Sequence, residues 1–310
     1  MALKGCWLLK KSDVLTIKTI GRVRLITMTR PGARNAVNPA LARALYEAML
    51  AFDADTSVDV AVLQGAEGTF CAGFDLKSAS GGDGIEWIKG LDIPATWNDP
   101  ITEPLPGPMG PSRLMLSKPV IAAVEGSAVA GGMELALWSD IRIMAEDAQF
   151  GVFCRRWGVP LIDGGTVRLP GIVGQGRAND LILTGRPVGS KEAQLIGLAD
   201  RVTAKGGALA AALEMAEGLT RFPQGCMRAD FLSARGSPAD LAAALRREWA
   251  SAGMARLPRA FRGPRGSRKD LGAVGGSTNF SQTHLANGGR LINTAFASCP
   301  VSSPNFVPRS

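Results

Sequence analysis

Residues Lys118–Trp138 read KPVIAAVEGSAVAGGMELALW, and this stretch decides the fold class. Its first part, Pro119–Val124, predicts a buried strand, and Gly131–Trp138 predicts a helix. A second strand is predicted at Ile141–Ala145. Strand, helix and strand at this spacing predict an α/β fold with crossover connections. The stretch is not a membrane span, because two glutamates and three glycines interrupt it.

The sequence before this stretch predicts a β-hairpin, a helix and a further strand. Two β-rich runs, Val14–Lys18 and Val23–Met28, flank a glycine-containing turn. Apolar residues then recur at helical spacing over Pro39–Ala54, after Asn38 as a favourable N-cap. Val58–Leu63 has the composition of a buried strand.

The glycine- and proline-rich segment 78–111 predicts a long, mobile surface excursion. Beyond residue 166 the pattern becomes helical, with a short strand at Ala199–Val202. The predicted helices are Gly176–Thr184, Ser190–Ile196, Ala204–Arg221 and Pro238–Ala250.

The composition narrows the chemistry that the chain can perform. It has 310 residues, of which 46% are apolar and 20% charged, as in soluble globular proteins. The single histidine, His284, lies in an unpatterned tail, so Ser-His-Asp, Cys-His and histidine-rich metal sites are excluded. We therefore expect carboxylates and backbone dipoles to carry any catalysis, with no metal ion.

The net charge of +8 does not indicate a nucleic-acid-binding protein. Residues 256–310 carry eight basic side chains and one acidic side chain, so +7 of that charge lies in the tail. The five cysteines are odd in number and form no CxxC pair, which is typical of reduced thiols. With neither a signal peptide nor a membrane span predicted, we expect a cytoplasmic protein.

Two glycine-containing turns follow predicted strands: Phe70–Lys77, FCAGFDLK, and Ala128–Leu135, AVAGGMEL. A glycine pair at the start of a helix leaves backbone N–H groups unpaired, with the positive end of the helix dipole behind them. Such groups can hold a developing oxyanion. Nucleotide-binding fingerprints are absent, since the sequence contains no GxGxxG and no GK[ST] after a glycine loop.

Glu134 lies three residues after Gly131, so both face the same side of the predicted helix within one turn. A carboxylate in so apolar a run is costly unless it is hydrogen-bonded or used in the chemistry. The alternative is a carboxylate in the first turn that only benefits from the helix dipole.

With these motifs, the chain resembles the enoyl-CoA hydratase/isomerase (crotonase) superfamily over about residues 12–250. The resemblance implies a spiral of repeated ββα units followed by C-terminal helices that pack a homotrimer or a dimer of trimers. The order and spacing of the matching motifs make it specific. They are Thr29–Ala36, Phe70–Lys77, Lys118–Val124, Ala130–Ala136, Ser139–Arg142, Ala148–Gly151, Asp163–Thr166 with Arg168 and Leu169, and Leu183–Gly185.

The resemblance also implies an acyl-CoA substrate, with coenzyme A as part of that substrate and no separate cofactor. The thioester carbonyl would accept hydrogen bonds from the N–H groups of Phe74 and Gly131. Other residues would contact the coenzyme A moiety. Ala36 and Ala72 would line the adenine pocket, with Asp75, Leu76 and Lys77 nearby.

Hydratases of this superfamily carry a second glutamate, and the matching position here is Cys154. Asp163 stands where some members of the superfamily keep a catalytic aspartate, so we expect it to be the second carboxylate. It could instead cap the following helix. Arg155 and Arg156 could pair with Asp163 or Glu134, or could cross a trimer interface.

The leading hypothesis is an enoyl-CoA hydratase, a hydro-lyase, or a double-bond isomerase that uses Glu134 and Asp163. One alternative is a hydrolase- or dehalogenase-like enzyme in which Asp163 attacks as a nucleophile. Another is a non-catalytic protein of the same fold that binds RNA, which the nearly neutral body disfavours.

The resemblance divides the chain into three regions. Residues 1–200 form the ββα spiral core, and residues 201–255 form the helical oligomerisation region. Residues 256–310, rich in Arg, Gly, Pro, Ser and Asn and without Glu, form an irregular tail. Either an altered reading frame or a lineage-specific extension would produce such a tail, and we expect it to contribute little to the active site.

Overall fold

The computed structural model describes residues 10–11 and 13–253 of the chain, and the predicted irregular tail lies outside them. No helix among these residues is long and apolar enough to cross a membrane.

The described residues form ten strands and ten α-helices, and most of the predicted elements are confirmed. The strands are β1 (Lys10–Lys11), β2 (Leu15–Ile20), β3 (Val23–Met28), β4 (Val60–Gly65), β5 (Val120–Val124), β6 (Ser127–Val129), β7 (Ile141–Ala145), β8 (Gln149–Gly151), β9 (Pro187–Gly189) and β10 (Arg201–Thr203). The helices are α1 (Pro39–Ala54), α2 (Leu76–Gly81), α3 (Asp83–Lys89), α4 (Gly131–Trp138), α5 (Gly165–Val173), α6 (Gln175–Thr184), α7 (Ser190–Leu195), α8 (Ala208–Thr220), α9 (Gln224–Ala234) and α10 (Pro238–Ser251). Short 3-10 helices span Pro31–Ala33, Pro111–Arg113 and Phe153–Trp157.

The strands form two sheets. The larger has the order β1-β2-β3-β4-β5-β7-β10, and the smaller has the order β6-β8-β9. The first three strands of the larger sheet are antiparallel, and every pairing from β3 onward is parallel.

The expected repetition of ββα units is confirmed. In each unit a strand of the large sheet is followed by a short extended segment in a second layer and then by a helix. This order is complete in β5-β6-α4, and β7-β8 leads to α5 through the short helix Phe153–Trp157. In the earlier units the second-layer segment is reduced to single bridges, Val37 with Phe74 and Cys71 with Ala128. These bridges place the ends of successive units side by side.

Alternate residues of the parallel strands divide the core into two sides, because successive side chains of a strand point to opposite faces. One face packs against small residues of α8, Ala208, Ala212 and Ala216. The other packs against α1 and the second layer. Helix α8, which belongs to the predicted oligomerisation region, is therefore also part of the core of its own chain.

The expectation of a mobile excursion at residues 78–111 was wrong in part. The segment contains most of α2 and all of α3, and the side chain of Trp97 is 2% exposed. Its apolar residues pack against Leu245 and Trp249 of α10. A helix distant in sequence therefore completes the hydrophobic core around this segment. Helices α5 and α9 were not predicted. α5 begins at a glycine pair and contains Pro170, both unfavourable to helix.

The side chain of Asn35 ties three segments together close to the paired turns. It is fully buried, and its Oδ1 accepts a hydrogen bond from the N–H of Arg30 at 3.0 Å. Its Nδ2 donates to the carbonyl oxygens of Ala66 at 2.9 Å and Thr69 at 2.7 Å. Its φ of +53° lies in the left-handed region, which asparagine tolerates better than most residues.

We expect Asn35→Ala to lower the free energy of unfolding by about 2–4 kcal/mol, because two partly buried carbonyls lose their donor and alanine is disfavoured at this φ. Urea denaturation followed by circular dichroism measures the loss. Asn179→Ala on the exposed face of α6 is the control and should change stability by less than about 0.5 kcal/mol. Equal effects of the two substitutions would contradict the structural role of Asn35.

Candidate active site

The two glycine-containing turns of the sequence lie side by side. Cys71 donates its N–H to the carbonyl of Ser127 at 3.0 Å and accepts from the N–H of Val129 at 3.0 Å. A Cβ atom on Gly73, whose φ is +96°, would lie 3.0 Å from the backbone nitrogen of Gly131. A larger residue at position 73 would therefore separate the turns.

Phe74 and Gly131 present backbone N–H groups that donate no hydrogen bond among the described residues. Val37 pairs with the residues on either side of Phe74, accepting from Asp75 and donating to Gly73, which leaves the Phe74 N–H unused. Gly131 is the first residue of α4, where an N–H has no partner inside the helix. Two free donors at adjacent turns, one of them at a helix N-terminus, can polarise a carbonyl oxygen.

Glu134 is buried in the first turn of α4, and one of its oxygens is held by a loop. Its Oε1 accepts hydrogen bonds from the N–H groups of Asp163 and Gly165, each at 2.9 Å. A Cβ atom on Gly165 would lie 2.9 Å from Oε1, so the loop can approach the Glu134 carboxylate this closely only because residue 165 is glycine. The second oxygen, Oε2, accepts no hydrogen bond from residues 13–253. Burial raises the pKa of Glu134 well above its usual value, and the charges of Asp163 and Glu248 add to this effect.

The carboxyl group of Asp163 is also buried and also held through one oxygen. Its Oδ1 accepts hydrogen bonds from the N–H of Met109 at 2.8 Å and from the hydroxyl of Ser112. Burial raises the pKa of Asp163 to about 6, although these hydrogen bonds and the charge of Arg113 oppose the rise. Asp163 does not cap the next helix, because the N-cap of α5 is Gly164 and no side chain caps it.

The loop at residues 107–112, which the sequence did not indicate, connects Asp163 to the N-terminus of α4. Gly107 and Gly110 exchange two backbone hydrogen bonds of 2.8 and 2.9 Å and so form a tight turn. The turn carries Met109, whose sulfur would lie 2.6 Å from a Cβ atom on Gly131. The same residue therefore supports the Gly131 turn with its side chain and Asp163 with its backbone.

Glu248 of α10 is a third buried carboxylate beside this loop, and sequence analysis missed it. The signal was present, because Glu248 falls on the apolar face that Leu245 and Trp249 mark on α10. Its oxygens accept from the N–H of Gly164 at 2.6 Å and from the N–H and hydroxyl of Thr166 at 2.9 and 2.7 Å. Burial raises the pKa of Glu248, and its hydrogen bonds to Thr166 and Gly164 oppose the rise.

Of the two roles considered for Arg155 and Arg156, pairing with Asp163 or Glu134 is not found among the described residues. Arg155 donates to the carbonyl of Ile182 at 3.2 Å, and the guanidinium of Arg156 lies 4.1 Å from the ring centre of Phe153. The guanidinium groups close to the carboxylates belong to two other residues, Arg113 and Arg168.

Cys154, which the resemblance matches to the second glutamate of hydratases, is buried in the short helix Phe153–Trp157. Burial raises the pKa of its thiol to about 12, with a contribution from the charge of Glu134. Cys71 beside the Phe74 turn has a buried thiol whose pKa is also raised to about 12, mainly by burial. Neither thiol is ionised near neutral pH, so neither is suited to act as a base or nucleophile.

The residues predicted to contact coenzyme A are brought together at the Phe74 turn. Ala72 donates its N–H to the carbonyl of Arg34 at 3.1 Å, which places it beside the chain that carries Ala36. The carboxylate of Asp75 accepts from the N–H of Lys77 at 3.0 Å at the start of α2 and pairs with Arg30 at 2.9 Å. These partners of the Asp75 carboxylate are thus groups of the protein itself. Leu76 and Lys77, by contrast, have exposed side chains.

We expect Asp163→Asn to stabilise the fold at neutral pH relative to the unmodified chain. Because folding raises the pKa of Asp163 to about 6, its contribution to stability is complete below pH 4 and is lost as the pH rises through 6. Asparagine removes this dependence and keeps an oxygen for Met109 and Ser112. The gain should therefore grow from pH 4 to 6 and level off above pH 6 at up to about 3 kcal/mol. Urea titrations at pH 4, 5, 6 and 8 measure it, and a gain independent of pH would contradict the raised pKa.

The chain is similar to known proteins in both sequence and structure. The enoyl-CoA hydratase/isomerase family model matches residues 19–93 and 112–232. A probable enoyl-CoA hydratase of Rhizobium meliloti is 41% identical over 212 residues, 68% of this chain and 76% of that protein. An enoyl-CoA hydratase of Mycobacterium tuberculosis is 37% identical over 207 residues, 64% of this chain and 72% of that protein. The solved structure of a carnitinyl-CoA dehydratase from Mycobacterium avium superposes with a TM-score of 0.68 at 31% identity, covering 82% of this chain and 97% of that one. The chain belongs to the enoyl-CoA hydratase/isomerase family and has the crotonase fold.

Proposed function

We propose that this protein is an acyl-CoA enzyme that hydrates an enoyl thioester, or moves its double bond, by stabilising a thioester enolate. The observation that carries the proposal is the pair of unused N–H groups, those of Phe74 and Gly131, one helical turn from the buried carboxylate of Glu134. The two N–H donors and the Glu134 carboxylate lie at the same end of α4. A bound thioester can therefore place its carbonyl oxygen at the donors and its α-carbon at the carboxylate at the same time.

The two donors would act on the thioester carbonyl. Hydrogen bonds from Phe74 and Gly131 to its oxygen stabilise the negative charge that develops there, which makes the α-carbon more acidic and the β-carbon of a conjugated double bond electrophilic. Because the dipole of α4 points its positive end at the same oxygen, the stabilisation is present before the reaction begins.

The two carboxyl groups would move the protons. Burial raises the pKa of both groups, and the charge of Asp163 raises that of Glu134 further, which brings both carboxyl groups closer to the range in which they can exchange protons near neutral pH. Asp163 would accept a proton from water as the water oxygen attacks the β-carbon, and the electron pair of the double bond moves into the thioester. Glu134 would then donate its proton to the α-carbon, which completes the addition of water.

A double-bond isomerase would use the same groups without a bound water. One carboxylate would remove a proton from the α-carbon of a 3-enoyl thioester, and a protonated carboxyl would return one to the γ-carbon. A panel of 2-enoyl-CoA and 3-enoyl-CoA thioesters, assayed for loss of the conjugated double bond and for its formation, separates the two reactions. Turnover of none of them would overturn the proposal.

The coenzyme A moiety would lie along the Phe74 turn, against Ala36 and Ala72. Asp75 would contribute its backbone, since its carboxylate is occupied, while the exposed Leu76 and Lys77 are free to contact the ligand. The substrate brings this group with it, and the proposed steps use no separate cofactor.

We further propose a homotrimer or a dimer of trimers in the cytoplasm. Several large apolar side chains outside the core are exposed in the single chain, among them Leu183, Leu195 and Phe222, and α9 buries none of its residues. Faces of this kind favour association with other subunits. The free thiols of Cys71, Cys154 and Cys226 support a reducing compartment.

We expect Glu134→Gln to lower kcat by about 10²–10⁴-fold, because the amide cannot exchange a proton with the substrate carbon. The affinity for coenzyme A should stay within a few-fold, since Glu134 faces the acyl end and not the nucleotide. Steady-state kinetics and calorimetric titration with coenzyme A measure the two effects. Near-normal turnover would show that the carboxylate is structural only.

We expect Asp163→Asn to lower turnover by about 10²–10⁴-fold and Cys154→Ser by less than about tenfold. The thiol is un-ionised near neutral pH, whereas Asp163 titrates at about 6. The reverse order of effects would contradict the assignment of the second catalytic group. Rapid quenching and mass spectrometry of the peptide that contains Asp163 would reveal an acyl-aspartyl adduct, which would favour the nucleophilic alternative.

A further inference from the structure

Glu248 is a buried carboxylate on α10 that contacts a loop far away in the sequence, and the α10 helix does not need this residue in order to form. It is 5% exposed on α10, more than 80 residues beyond the loop that it touches. Both carboxylate oxygens are used: Oε2 accepts from the N–H of Gly164, and Oε1 accepts from the N–H and hydroxyl of Thr166. A buried carboxylate that meets three donors in one short segment fixes that segment in a single conformation.

The segment that Glu248 fixes is the one that holds Glu134. Residues 164 and 166 flank Gly165, whose N–H is one of the two donors to Glu134 Oε1. Gly164 has a φ of +86°, a conformation that other residues rarely adopt, so the path of this segment depends on glycine. A loop with two glycines has much conformational freedom, and Glu248 supplies an external restraint on it.

We propose that Glu248 is a positioning residue, which clamps residues 164–166 from α10 and thereby sets the orientation and the electrostatic environment of Glu134. The proposal rests on the proposed function of Glu134 as a proton donor and acceptor. It assigns to the predicted oligomerisation region a second task, performed within one chain, which is to complete the active site.

The charge of Glu248 acts on the two carboxyl groups of the proposed catalytic pair, Glu134 and Asp163. It raises the pKa of both Glu134 and Asp163, because like charges in a buried site disfavour ionisation. Two guanidinium groups act in the opposite direction. The charged and titratable groups around Glu248 are Glu134 on α4, Asp163 in the loop, Arg168 on α5 and Arg113 on the short helix Pro111–Arg113, with Cys154 beyond Glu134.

Replacing Glu248 with glutamine removes the charge and one of the two acceptor oxygens. Without the negative charge, and with Arg168 and Arg113 less compensated, the pKa values of Glu134 and Asp163 fall. The acidic limb of the kcat/KM profile should therefore move to lower pH by roughly 0.5–1 unit. The loosened loop should also lower kcat by about 10–100-fold, with KM within about threefold of the unmodified enzyme.

Two further variants separate the restraint from the charge. Thr166→Val removes the hydroxyl donor and leaves the Glu248 carboxyl group in place, so kcat should fall several-fold and the acidic limb should move less than in Glu248→Gln. Glu217→Gln makes the same chemical change as Glu248→Gln on the exposed face of α8, where Glu217 pairs with Arg221. It should leave both rate and profile unchanged.

Amide hydrogen exchange tests the clamp without any turnover assay. In Glu248→Gln the amides of residues 163–166 should exchange at least about tenfold faster, while the strands of the large sheet keep their protection. Thr166→Val should show a smaller change in the same segment, and it provides the measurement if Glu248→Gln does not fold.

These readouts distinguish failure of this inference from failure of the proposed function. If the unmodified protein turns over no enoyl thioester, but the amides of residues 163–166 lose protection in Glu248→Gln, the proposed function is wrong and the restraint of this segment by Glu248 is supported. Loop amides that exchange as in the unmodified protein, or a kcat loss with an unmoved acidic limb in Glu248→Gln, would overturn the positioning role.

Discussion

Burial of the Glu134 carboxylate at the N-terminus of α4 is the constraint on which the rest of the site depends. A carboxylate in apolar surroundings is costly unless hydrogen bonds replace the water that it loses. Here the N–H groups of Asp163 and Gly165 take the place of that water. Their close approach to the carboxylate requires a loop with no side chain at position 165. That loop brings Asp163 next to Glu134 and needs its own restraint, which α10 supplies through Glu248.

The result is a site that is electrostatically unfavourable to the folded state. Three carboxyl groups, those of Glu134, Asp163 and Glu248, are buried close together, and burial raises the pKa of each. Arg113 and Arg168 compensate part of the charge, yet burial also lowers the pKa of both. Interactions of this kind destabilise a fold, and they are typical of sites that transfer protons near neutral pH.

Much of the fold and part of the site could be predicted from the sequence. The strand and helix of residues 118–138 and the two glycine turns have local signatures, and so does the isolated carboxylate of Glu134. Residues that act through distant contacts could not be found in this way. Met109 lies in the glycine- and proline-rich segment 78–111, which has no periodicity, and Ser112 directly follows it. Their roles depend on how this part of the chain folds back onto Asp163. Glu248 had a signal, a carboxylate on an apolar helix face, but its partners more than 80 residues away are set only by tertiary packing.

We propose that the backbone N–H groups of Phe74 and Gly131 hold one carbonyl oxygen close to Glu134. A crystal structure with an unreactive saturated acyl-CoA tests it most directly. We expect the thioester oxygen at about 2.7–3.1 Å from both backbone nitrogens, with the α-carbon facing Glu134. A thioester oxygen bound to neither N–H group, or an acyl chain directed away from Glu134, would contradict it.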